Sequence, residues 1–313
     1  MTTNSFYHTM KDGTEVHVMR WIPDGEIKGV VQLCHGMAEH SLRYDKMGSI
    51  FAEAGWVLSA HDQRGHGKTA QRAESLGRGK FGYLADKHGF DTVTDDLLEL
   101  VLGLKADYPQ KKCFLIGHSF GSFVSQNFIE QYGEELDGAV LCGTAGPRRA
   151  FMAVAKAVFG LNALLLGKKH KSAFDANLAF FGYNNKCPKP RKSAFAWLSK
   201  NEFNVEMYEA DQWCGLVPTA EFFCELVGGL YKIHSRKAIA AIPKNLPLYL
   251  IYGSDDPVGG YGKTIQKLLA AYRANKMADV SEKVWPGDRH EIFNEQDGEA
   301  VMADTLAWLE KRL

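Results

Sequence analysis

Cys113-Phe114-Leu115-Ile116-Gly117-His118-Ser119-Phe120-Gly121-Ser122-Phe123-Val124 is the stretch whose reading decides the fold. An apolar β-run, Cys113 to Ile116, meets Gly117-His118-Ser119-Phe120-Gly121. An amphipathic helical pattern through Phe123, Val124, Phe128 and Ile129 follows. The result is G-x-S-x-G between a strand and a helix, the context of a nucleophile elbow. The turn must be sharp enough to lift the Ser119 hydroxyl above the sheet. A side chain at Gly117 or Gly121 would then collide with the neighbouring strand or helix. Ser119 also opens a helix, where free N–H groups favour developing negative charge. The competing reading is a Gly-rich turn with an ordinary N-cap serine. At average Gly and Ser usage the pentapeptide arises by chance about 0.1 times in a chain this long. The flanking strand and helix favour catalysis, and the rest of the chain decides.

A serine nucleophile needs a base, an orienting carboxylate and an oxyanion hole. Downstream, Leu246-Pro247-Leu248-Tyr249-Leu250-Ile251-Tyr252 forms an apolar strand that ends at the acidic turn Gly253-Ser254-Asp255-Asp256-Pro257-Val258. A helix over about 261–275 and a short strand, Glu282 to Trp285, come next. That strand ends in Pro286-Gly287-Asp288-Arg289-His290-Glu291, and a last helix follows. An acid and a histidine therefore each lie just past a strand, as Ser119 does, where catalytic groups of open α/β sheets collect. Asp255 and Asp256 compete for the acid role. Asp288 lies too close in sequence to His290 to reach its ring easily and reads as a solvated turn residue. Upstream, the strand Val30 to Cys34 ends at His35-Gly36-Met37, a loop type that supplies a backbone N–H to an oxyanion hole. By position the two donors are the N–H groups of Met37 and Phe120, with His35, Gly36, Gly117 and Gly121 ordering the loops.

The element order gives the architecture. A hairpin pattern, about 4–9 and 14–22, opens the chain. Strands at 29–34, 56–60, 112–116 and 138–143 then alternate with helices at 42–54, 90–107 and 120–132. Such alternation makes a mostly parallel, doubly wound sheet with helices on both faces. The pattern breaks at Gly143-Thr144-Ala145-Gly146-Pro147 and resumes near Leu246. Residues 1–145 and 240–313 are expected to form the core, and 146–239 an inserted helical cap or lid.

With these motifs in order, the chain resembles an α/β-hydrolase of the serine-aminopeptidase-like group that includes monoacylglycerol lipases and lysophospholipases. The resemblance rests on His35-Gly36-Met37-Ala38-Glu39-His40-Ser41-Leu42-Arg43-Tyr44, His61-Asp62-Gln63-Arg64-Gly65-His66-Gly67-Lys68, the Ser119 pentapeptide, the acidic turn and Arg289-His290-Glu291. It covers about 5–145 and 240–313 and matches the middle only loosely. It implies Ser119 as nucleophile, His290 as base and Asp256 as the acid, three residues after Gly253. It implies hydrolysis of esters with an apolar acyl chain, without a cofactor. A proline-iminopeptidase-type aminopeptidase, a thioesterase or acyltransferase, and a non-catalytic ligand-binding member of the fold are the alternatives. The peptidase would need a cap carboxylate for a free amino terminus, with Glu202, Glu206, Glu209, Asp211 and Glu221 available.

The cap sequence points to an apolar substrate. Residues 150–166 are nearly all apolar and are flanked by Arg148, Arg149, Lys168, Lys169 and Lys171. Lys156, Asn162 and a length at the short limit argue against a membrane span. A helix packed on its own domain and a helix touching a membrane surface transiently are both open. Asp211-Gln212-Trp213-Cys214-Gly215 has no assigned mechanism.

Composition narrows the class. The chain has 313 residues, of which 45% are apolar and 24% charged, with zero net charge. That balance gives no electrostatic basis for nucleic-acid binding. Neither H-x4-H pair, His35 with His40 or His61 with His66, has metal-site spacing, so no metal is expected. His118 is expected to point down into the structure in a hydrogen-bonded packing role. Six scattered cysteines and no visible signal peptide fit a cytoplasmic location.

Overall fold

The structure, a computed structural model, describes residues 1–189 and 193–313. The chain order is β1 (Thr2–Thr9), β2 (Glu15–Ile22), β3 (Gly29–Cys34), α1 (Asp45–Glu53), β4 (Trp56–His61), α2 (Gly67–Ser75), α3 (Gly89–Asp107), β5 (Lys112–His118), α4 (Phe120–Tyr132) and β6 (Gly138–Cys142). Five helices follow: α5 (Arg149–Leu166), α6 (Ala173–Ala179), α7 (Glu202–Ala210), α8 (Ala220–Ile233) and α9 (Arg236–Ala241). The sheet then resumes with β7 (Leu248–Gly253), α10 (Lys263–Ala274), β8 (Val280–Trp285) and α11 (Gly298–Glu310). One eight-stranded sheet has the order β1-β2-β4-β3-β5-β6-β7-β8. The hairpin strand β2 pairs antiparallel with β1 and β4, and β4 through β8 pair in parallel.

The strand sequences explain the layers. β3, β4, β6 and β7 are buried along their whole length, as parallel strands covered on both faces must be. Side chains alternate between two cores. Val30 and Leu115 pack with Leu97, Val101, Phe128 and Leu268 under α3, α4 and α10. Their neighbours Val31 and Phe114 pack with Phe51, Trp56 and Trp308 under α1 and α11. The helix α2 was not legible: its sequence, GKTAQRAES, has one small apolar residue per turn and no long one.

The segment between β6 and β7 lies over the strand ends. α5 packs on α8 through a narrow stripe, Ala155 and Phe159 against Phe223 and Val227, with Ala163 buried on the same helix. The rest of α5 is open. Leu164 is 80% exposed, Leu165 71%, and Phe151, Val154 and Leu161 are also exposed. This departs from a helix packed on its own domain. The helix is apolar enough to cross a membrane, but its 18 residues span only about 27 Å. Asn162 is also tied to Ser172 and Asp175.

Candidate active site

Ser119 stands between β5 and α4 with φ 53° and ψ −120°, a conformation that a side-chain-bearing residue adopts only under constraint. The constraint is visible. The Ser119 N–H donates to Cys142 O on β6 at 3.0 Å, and Ser119 O accepts from Ser122 N at 2.8 Å and Ser122 Oγ at 2.6 Å. A Cβ at Gly121 would overlap the carbonyl oxygens of Cys34 and His35, and one at Gly117 would overlap Ser125 Oγ and Gly121 O. Both glycines are thus required for close approach, as expected from the pentapeptide.

His290 and Asp256 meet at the ends of neighbouring strand loops. His290 Nδ1–H donates to Asp256 Oδ2 at 3.0 Å. Asp256 Oδ1 accepts the Val258 N–H at 2.8 Å, so both carboxylate oxygens are engaged. With Nδ1 protonated, the other nitrogen of the neutral ring is a lone-pair acceptor. Nε2 is buried and has no hydrogen-bond partner among the described residues. Ser119 and His290 flank the end of β6. Gly143 has φ 56°, and a Cβ there would lie 3.1 Å from the His290 ring. The His290 ring sits between His118, at 4.9 Å between centroids, and Trp197 of the cap, at 5.1 Å.

The rival acids separate. Asp255 faces away, with Ser254 Oγ as its side-chain neighbour at 3.5 Å. Asp288 is not a solvated turn residue. It is 8% exposed, and burial beside Asp297 and Glu295 pushes its carboxyl up to about 7. The loop folds inward because Gly253 has no side chain to obstruct the carbonyls of Asp288 and Arg289.

The 35–40 loop is held by a buried charge network. Glu39 Oε1 accepts from Gly36 N at 2.5 Å, from Tyr44 Oη at 3.0 Å and from His118 Nδ1 at 3.1 Å. Arg43 bridges Glu39 Oε2 and both oxygens of Glu291, the residue after His290. His118 Nε2 reaches His290 O at 3.3 Å. Both nitrogens of His118 therefore donate, which requires imidazolium. Burial opposes that charge, yet Glu39 raises the His118 pKa above its ordinary value. Burial likewise opposes ionisation of Glu39, but His118 and Arg43 hold its carboxyl well below the usual range. Removing one partner of such a network leaves a buried charge, at a cost of about 3–5 kcal/mol. His35 takes the opposite state. It donates from Nδ1 to Gly36 O and accepts at Nε2 from Gln63 N. Burial pushes its pKa down to about 4, so it is neutral.

The Met37 and Phe120 amides, expected from sequence as oxyanion donors, lie on the loop after β3 and at the start of α4. Phe120 is the first residue of α4 and has no intrahelical acceptor for its N–H. Among the described residues neither amide has an acceptor. The HGMAEHSLRY and RHE strings carry Glu39, Arg43 and Glu291 without revealing their roles, and no local pattern marks Trp197. His40, Asp211 and Cys214 place one metal-ligand atom each within 4.8 Å of one another. Burial drives the Cys214 thiol far above its ordinary pKa and outweighs the opposing pull of Arg43, which is a poor setting for a thiolate ligand.

The chain is similar to known proteins over nearly its whole length. A monoacylglycerol lipase of Mycolicibacterium smegmatis is 30% identical over 303 residues, covering 94% of this chain and 92% of that one. The human monoglyceride lipase is 25% identical over 309 residues, covering 96% and 88%. A thermostable carboxyl esterase from Bacillus coagulans, solved with glycerol, superposes with a TM-score of 0.88 at 28% identity over 99% of both chains. Residues 25–297 match the family described as serine aminopeptidase, S33, and the chain belongs to that family of α/β-hydrolases.

Proposed function

We propose that this chain is a carboxylic ester hydrolase that cleaves esters with an apolar acyl chain, monoacylglycerols or lysophospholipids, through an acyl-enzyme on Ser119. The observation that carries the proposal is the polarised His290. Its Nδ1–H is fixed on Asp256, its buried Nε2 has no partner among the described residues, and it and the strained serine lie at the same end of β6, His290 against Gly143 and Ser119 on the Cys142 carbonyl. His290 takes the Ser119 proton as Oγ bonds to the ester carbonyl carbon. The oxyanion accepts from the Met37 and Phe120 N–H groups, each worth about 3 kcal/mol in such a site. The imidazolium, stabilised by Asp256, protonates the departing alcohol as the C–O bond breaks. Water, deprotonated by His290, then adds to the acyl carbon; the bond from that carbon to Ser119 Oγ breaks, the imidazolium returns its proton to Oγ, and the acid leaves. Every proton in the cycle is handled by these groups.

Relatives that are monoacylglycerol lipases support the substrate class. The open apolar face of α5, with Arg148, Arg149, Lys168, Lys169 and Lys171 beside it, supports transient contact with a lipid surface. The peptidase reading finds less support. Asp211 is engaged by His40, Glu221 is buried against the Leu84 N–H, and Glu206 and Glu209 are exposed on the cap. Six free cysteines fit the proposed cytoplasmic location. Initial rates on p-nitrophenyl esters from acetate to palmitate, with monoacylglycerols alongside, test the substrate class. An optimum at octanoate or longer, matched on monoacylglycerol, is expected. Turnover confined to acetate overturns the apolar-acyl assignment.

A further inference from the structure

The 35–40 loop is fixed from below by Glu39 and from above by the cap. Ala38 has φ 54°, a left-handed conformation that a non-glycine residue adopts at a cost of about 1–2 kcal/mol. Its carbonyl accepts two hydrogen bonds from the cap: Gly215 N at 3.0 Å and Tyr208 Oη at 2.9 Å. Gly215 itself has φ 64°, and a Cβ there would stand 3.0 Å from the Phe195 ring. At the end of the loop, His40 Nε2–H donates to Asp211 Oδ2 at 2.8 Å. Asp211 Oδ1 accepts Trp213 N at 2.8 Å, and the Trp213 ring meets His40 edge-on at 5.1 Å. The Arg43 guanidinium lies 4.9 Å over the Tyr208 ring, joining this clasp to the Glu39 network. Gly36, Ala38 and His40 are therefore each pinned, and Met37 lies between them.

We propose that the cap segment Tyr208–Gly215 is a positioning device for the oxyanion hole, with Tyr208 and Asp211 as positioning residues that set the direction of the Met37 N–H. The Met37 N–H shares its peptide with Gly36 O, which His35 Nδ1 holds; the segment fixes the strained Ala38 backbone that follows by its carbonyl, and so limits how far Met37 can turn. The cap is then part of the catalytic machinery as well as a cover. The DQWCG string gains a function: Asp211 and Trp213 grip His40, and Gly215 supplies an N–H from a left-handed position that a side chain would strain and crowd against Phe195. The inference rests on the proposed role of the Met37 amide.

Tyr208→Phe deletes one hydroxyl and keeps the ring under Arg43, so the protein should fold. It should lower kcat on p-nitrophenyl octanoate roughly tenfold, a fraction of the loss from deleting an oxyanion donor outright, with KM within about twofold. Octyl trifluoromethyl ketone adds Ser119 Oγ to its carbonyl carbon and leaves an oxyanion in the hole. Its Ki should rise by the same factor as kcat falls, and Asp211→Ala should move both in the same direction. A merely structural contact would not tie kcat to that Ki. Wild-type kcat in Tyr208→Phe, or a lowered kcat with unchanged Ki, overturns the proposal. An inert Ser119→Ala beside a wild-type-like Tyr208→Phe overturns this inference alone. Full activity in Ser119→Ala overturns the nucleophile assignment and this inference with it.

Discussion

Ser119 is strained because its neighbours permit it. Without side chains at Gly117 and Gly121, helix α4 can start against the carbonyls of Cys34 and His35, and the serine between them is held at φ 53°. The same local logic separates the two acids. Asp256 accepts the His290 Nδ1–H, and Asp255 lies beside Ser254. Asp256→Asn is expected to lower kcat by roughly 10³-fold or more, by destabilising the imidazolium and the required tautomer. Asp255→Asn should cost little, and equal losses in steady-state kinetics would contradict the assignment. A second titrating group belongs to the cap. Burial pushes Glu221 up to about 7 from 4.5, with one oxygen unpartnered among the described residues. The folded state therefore holds a proton that the unfolded state has lost between about pH 4.5 and 7. Stability from this group falls as pH rises through that window. Glu221→Gln should melt higher than wild type at pH 8, by about 3 °C, and the gain should vanish by pH 4.5. A constant difference across pH would refute it.

Elements were legible in proportion to how local their causes are. Strands such as Val30 to Cys34 and Leu248 to Gly253 are continuous apolar runs because both faces are covered. Helix α2 and the inward fold of Asp288 depend on partners distant in sequence, and their own residues carry no such signal. Helix α5 is the reverse case: its apolarity was plain, but which side faces solvent was not. Ala155, Phe159 and Ala163 are its buried residues, and the long leucines point outward. Leu164→Glu combined with Leu165→Glu should lower the rate on aggregated monooleoylglycerol roughly tenfold, by placing charge on the face that meets lipid. Hydrolysis of soluble p-nitrophenyl butyrate should be unchanged. A parallel loss on both substrates in pH-stat and absorbance assays would place the leucines in folding or catalysis instead.

At the scale of the molecule, the sheet brings together three loops far apart in sequence. Ser119 follows β5, Asp256 follows β7 and His290 follows β8. Sequence order was sufficient to align these, since parallel strands place their ends on one edge. The inward side of the cap was not readable. Its contacts, Arg289 with the carbonyls of Ala196 and Ser199, Leu198 O with Glu291 N, and Trp197 on His290, join residues about 90 positions apart that share no local pattern. The core thus supplies the reacting groups and the cap completes their surroundings. The central claim is that Ser119 carries the acyl group, and the most direct measurement is kcat on p-nitrophenyl octanoate for the wild type and Ser119→Ala. The account predicts a loss of roughly 10³-fold or more in the folded variant. Near-wild-type turnover by Ser119→Ala would contradict it.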